Sequence, residues 1–173
     1  MTNEERMQRV NQDAINRAAD YSGCSQAVLG TIQDEFGIGN KESFKAASAL
    51  SGGIARRGES CGAIIGALMA LGLLIGREKK DDIETYQAMI APSIAMCDSF
   101  REKVKKQFGF KEELKSTLCR EIQERIFGRS FNLNDEADRQ AFENAGGHNK
   151  TRGCPVVCGI AAQLAADKVL KLL

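Results

Sequence analysis

The chain has 173 residues, the length of one ordinary domain, and can bury roughly 70% of its unfolded surface without disulfide or metal staples. With 43% hydrophobic and 27% charged residues, its composition excludes the disordered and membrane classes. Lys and Arg number 24 against 23 Asp and Glu, so a net charge of +1 offers no field to nucleic acid or to a membrane surface, and neither is expected as a partner. Two prolines, no tryptophan and an abundance of Ala, Leu, Glu and Lys favour helices, because those side chains lose little rotamer freedom there. The expected class is all-α: a single domain over 1–173, built as a compact bundle of six or seven helices.

In chain order, Thr2 and Glu5 make a capping box, and Met7, Val10, Ala14, Ala18 and Tyr21 follow at helical spacing. The charged start lacks the apolar core of a secretory signal, which points to the cytoplasm. A second helix runs from Cys24 to Phe36 and stops at Gly37, and Asn40 caps a third around Phe44 to Leu50. Residues 51–60 hold three glycines and no apolar period, as a loop does. Cys61 to Gly76 is uncharged but only 16 residues long, short of the ~20 a bilayer needs. Its Gly62, Ala63, Gly66, Ala67 and Ala70 allow close approach of neighbours, so it is expected as a central helix rich in Gly and Ala.

A fifth helix is expected along the row Ile83, Tyr86, Ile90, Ile94, Cys97, Phe100, Val104 and Phe108, with Pro92 kinking or breaking it. A sixth follows Leu114, Leu118, Ile122 and Ile126 and carries Cys119 beside that row. Residues 128–153 are polar and rich in glycine, with a helical turn or two near Asp135 to Asn144. Gly153-Cys154-Pro155 opens the last helix, with proline at its favoured first turn.

The six cysteines carry the chemistry. In a reducing compartment thiols serve as buried apolar groups, metal ligands or redox centres more often than as structural disulfides. Cys24, Cys61 and Cys154 all fall at expected helix N-termini, where unpaired amides and the dipole favour thiolate. Cys119 is the expected fourth partner, from the side of its helix. Cys97 lies in an apolar row and reads as core. Cys158 stands four residues after Cys154, on the same helical face. No C-x-x-C pair occurs, so spacing supports neither a thioredoxin-like motif nor a zinc ribbon.

The segments Cys24-Ser25-Gln26-Ala27-Val28, Gly52 to Met69 around Cys61, Leu118-Cys119-Arg120-Glu121 and Gly153-Cys154-Pro155 occur in an order that resembles the C_GCAxxG_C_C family of anaerobic bacteria and archaea. The resemblance covers the chain from about residue 13 onward. It differs in that Ser60 rather than glycine precedes Cys61, that Cys97 and Cys158 are additional, and that Pro92 interrupts a helix. It implies a small helical redox protein in which Cys24, Cys61, Cys119 and Cys154 hold an iron-sulfur cluster or another thiolate-bound metal.

Around that set, Gly52, Gly53, Arg56, Glu59 and Gly62 are the candidate cofactor-binding residues. Arg56 and Arg57 among glycines suit an anion or a solvated turn, and Glu59 suits a helix cap more than a proton relay. His148 is a weaker ligand candidate in a polar loop. No phosphate-binding loop, dinucleotide fingerprint or nucleophile elbow occurs. Three functions compete: electron transfer or redox sensing with a partner redox protein; thiol-disulfide exchange through Cys61 and Cys154; and a helical scaffold whose cysteines only pack. Small-residue faces also permit a homodimer.

Overall fold

In the computed structural model, which describes residues 1–172, the Glu5 amide donates to Thr2 Oγ1 at 3.2 Å and the Thr2 amide donates to Glu5 at 2.7 Å. This reciprocal cap starts α1 (Asn3–Tyr21). Gly23 and Gly37, both left-handed, bracket α2 (Cys24–Phe36), and the Asn40 side chain caps α3 (Lys41–Ala46), which tightens into a 3-10 turn at Ser48–Leu50. The chain continues with α4 (Gly62–Ile75), α5 (Ile83–Phe108), α6 (Cys119–Phe127), α7 (Glu136–Asn144) and α8 (Cys154–Leu172). The fold is all-α, with eight α-helices among the described residues against the six or seven expected. An isolated antiparallel bridge joins Ser60 to Leu118.

The core forms where α8 lies against α1, α2, α4 and α5. Gly159 lets α8 approach α1: a Cβ there would stand 2.6 Å from the Asn11 side chain. Gly66 does the same between α4 and α2, with the Ser25 carbonyl oxygen 2.5 Å from its would-be Cβ. The small faces of α4 thus seat it against α2, α8 and α5, as its composition requires. α8 is equally central, its buried side running from Pro155 to Val169.

Three features differ from the sequence expectation. α5 passes through Pro92 without a break; the one amide missing there is tolerated, and Ser93 Oγ donates to the Met89 carbonyl one turn back at 2.8 Å. The apolar row of α5 is also split. Met96, Phe100 and Val104 are buried, whereas Ile83, Tyr86, Ile90 and Ile94 face solvent, because only the second half of this long helix lies over the core.

The third difference is the start of α6 at Cys119 rather than near Leu114. Glu121 folds back to accept the Lys115 and Ser116 amides at 2.7 and 2.9 Å, and the Thr117 carbonyl accepts from the Cys61 amide at 2.8 Å. Those bonds hold residues 115–118 out of the helix and place Leu118, in extended conformation, beside the loop that precedes α4.

The split of α5 predicts unequal mutational costs. Phe100→Ala should cost about 3–5 kcal/mol, the range for emptying an aromatic core site. Ile94→Ser should stay within about 0.5 kcal/mol of the parent, as surface changes do. Urea unfolding measures both, and equal losses would contradict this placement.

Candidate functional site

Four helix beginnings deliver sulfur to one cavity of about 540 Å³. Cys24 is the first residue of α2, Cys61 the N-cap of α4, Cys119 the first residue of α6 and Cys154 the first of α8. Cys119 therefore comes from a helix end as well, not from a helix side. Cys158, one turn into α8, lines the same cavity as a fifth thiol. Cys97 does not; it lies half-buried on α5 among apolar neighbours. All six are free thiols.

The loop before α4 fixes two of these sulfurs. Gly52, Gly53, Ile54, Ala55 and Arg56 all have positive φ, a left-handed run that costs L-residues roughly 1–2 kcal/mol each and that a β-branched residue such as Ile54 rarely enters. Tertiary bonds hold it. The Gly58 and Glu59 amides donate back to the Gly52 and Gly53 carbonyls, and Asn134 Nδ2 reaches the Ala55 and Arg56 carbonyls at 3.3 Å. On its far side, the Glu59 and Gly58 carbonyls accept from the Cys119 and Arg120 amides at 2.7 and 3.1 Å, which caps α6. Gly53 is required at this junction, since a Cβ would meet the Glu59 amide at 2.5 Å and Cys119 Cβ at 2.7 Å.

Of the expected cofactor-binding residues, Gly52 lines the cavity and its amide faces the Cys24 sulfur. Gly62 lies directly under that sulfur, which would stand 2.9 Å from an added Cβ. Arg56 forms part of the solvent side. Glu59 differs from expectation: its backbone, not its carboxylate, does the capping, and the exposed carboxylate pairs with Arg120 at 3.0 Å.

Sequence reasoning missed Gln123. Its buried amide donates to the Cys119 sulfur at 3.7 Å while its oxygen accepts from the Phe131 amide at 3.0 Å. Ser51 was missed too; it faces Cys24 and hydrogen-bonds Ser25 at 2.8 Å. Arg139 and His148 also line the cavity, the His148 ring 2.6 Å from the Glu143 carboxylate. Among the described residues neither Arg56 nor Arg139 is ion-paired. Both leave positive charge at the opening.

Helix ends alone do not set the thiol chemistry. Cys24 is lowered from 9.0 to about 6, foremost because the Cys158 thiol donates a hydrogen bond to its sulfur, with Gly52 and Ser51 adding to that against the cost of burial. Cys61 is pushed up to about 12 by burial and by the charge on Cys24, although the Ala63 and Ile64 amides face its sulfur. Burial also raises Cys119 and Cys154, and each is raised further by neighbouring cysteines. Cys158 is raised because it is the proton donor to Cys24. The expected lowering at Cys61 and Cys154 is thus reversed: desolvation and mutual repulsion outweigh the dipole.

Among the described residues no three His, Cys, Asp or Glu side chains stand close enough to share one metal ion. The donor set therefore does not suit a mononuclear site.

A family model described as "Putative redox-active protein (C_GCAxxG_C_C)" matches residues 22–168. The chain belongs to this family. The match spans all five cavity thiols and the left-handed loop. Among curated proteins and among solved structures, no match to the chain was found.

The thiol arrangement predicts a distinct pH profile in metal-free, reduced protein. Alkylation of Cys24 should rise with pH to a half-point near 6, since a lowered pKa exposes the reactive thiolate early. Cys158→Ala removes the donor and should move that half-point upward. Iodoacetamide labelling followed by peptide mass mapping reads both, and a half-point near the ordinary thiol value in the parent would contradict the arrangement.

Proposed function

We propose that this family member is a thiolate redox centre in which Cys24, Cys61, Cys119 and Cys154 hold an iron-sulfur cluster, or another polynuclear metal centre bound by thiolates. The observation that supports this reading most is the delivery of four thiols by four helix beginnings into one cavity whose sulfur donors are soft. When bound, such a centre supplies one-electron transfer. Residues of the chain then do three things. The raised thiols of Cys61, Cys119 and Cys154 give up protons to become ligands, so loading strengthens as pH rises. The Gln123 amide and the loop amides supply hydrogen bonds to sulfur, which bear on the reduction potential. Arg56 and Arg139 offset the negative charge that collects there.

In this reading a redox partner protein brings and removes electrons at the open side of the cavity, and a reducing, anaerobic cytoplasm suits the chemistry. Among the described residues no helix is long and apolar enough to cross a membrane.

Anaerobic purification with iron and acid-labile sulfide analysis is the test. Coloured protein with iron and sulfide in comparable amounts is expected, with Cys119→Ala losing most of the iron. Colourless protein that cannot be reconstituted with ferrous iron and sulfide would overturn the proposal.

A further inference from the structure

The first half of α5 carries an apolar face that is left in solvent. Ile83, Ile90 and Ile94 form one stripe at helical spacing and Tyr86 flanks it; their exposures are 55, 39, 57 and 43%. On the opposite flank Ala88, Ala91 and Ala95, also exposed, make a shallow row three and four residues apart. From Thr85 to Cys97 no residue is charged, whereas charges gather at both ends of that stretch, in Asp81, Asp82 and Glu84 and in Asp98, Arg101 and Glu102. Other exposed large apolar side chains, such as Tyr21, Phe44 and Ile54, stand singly on separate segments.

We propose that two copies of the chain associate through this face as a reversible homodimer, α5 against α5 about a twofold axis. The face is self-complementary: the Ile stripe of one copy seats in the shallow Ala row of the other, and symmetry repeats the contact. The area is sufficient. These side chains leave roughly 500 Å² per copy in water, a large patch for a monomer, and a pair removes about 1,000 Å², the least that a specific interface needs. An apolar centre rimmed by charge is also the composition of a homodimer contact. Among the described residues, α5 lends none to the lining of the thiol cavity. A partner that exchanges electrons at the cavity therefore gains nothing from this face, whereas a second copy seated on it leaves the cavity open. The association needs no metal. An interface this small dissociates on dilution, so in dilute urea unfolding Ile94 stays a surface residue.

Sedimentation equilibrium of metal-free protein, from micromolar to millimolar concentration, tests the proposal under a phosphine reductant that removes intermolecular disulfides. The mass should climb from the monomer value of 18.8 kDa toward twice that. Ile90→Glu and, separately, Ala91→Glu should hold it at the monomer value, while Tyr21→Glu, on the exposed end of α1, should dimerise like the parent. Hydrogen exchange at the two ends of the concentration series needs no variant, and the protection gained should fall within residues 83–97. A parent that stays monomeric at every concentration, protection gained only on other helices, or dimers that survive both glutamate substitutions would overturn the proposal.

Discussion

Five thiols share one low-dielectric cavity, and few of them can ionise there without compensation. Charge on Cys24 is tolerated because Cys158, Ser51 and the Gly52 amide all face it. That same charge, with burial, raises its neighbours, so Cys61 and Cys154 hold their protons. Under the proposed function, metal relieves this conflict by taking the place of the protons.

The architecture serves this arrangement through close backbone approaches. Gly66 brings α4 onto α2, Gly62 leaves room for the Cys24 sulfur, and Gly53 lets the left-handed loop lie against Cys119. Because the loop also caps α6, the strain in Ile54, Ala55 and Arg56 is tied to the position of the Cys119 sulfur. Folding and site assembly are therefore one event. α8 completes the cavity from the other side, supplying Cys154 and Cys158 from a helix that is itself the core of the bundle.

Much of this was legible in the sequence wherever a local rule operates. The Thr2–Glu5 box, the Asn40 cap and the Gly37 stop mark their elements because each satisfies backbone groups within a few residues, and Pro155 marks a helix start because it lacks an N–H that would go unpaired there. Cys24, Cys61 and Cys154 fall at helix ends for the same reason. What stayed hidden depends on tertiary partners. Nothing in Ile54, Ala55 or Arg56 announces a left-handed run, which exists because Asn134 and α6 hold it. Leu114 and Leu118 fit a helical period, but Glu121 and Cys61 take the backbone groups that a helix would use. The dipole argument for low thiol pKa values fails at Cys61 and Cys154, since burial and neighbouring sulfur act over the fold rather than along one helix. Cys158 was placed on the right face, but its partner lies on α2, far away in sequence.

The central claim is that folding gathers Cys24, Cys61, Cys119, Cys154 and Cys158 around one cavity and leaves Cys97 out. Dibromobimane becomes strongly fluorescent when it bridges two neighbouring thiols, and the bridged peptides can be mapped by mass spectrometry in the reduced, metal-free protein. The account predicts bridges within the five-thiol set, none to Cys97, and their loss on unfolding in urea. Bridges that survive only between Cys97 and another cysteine, or no bridges at all in the folded protein, would contradict it.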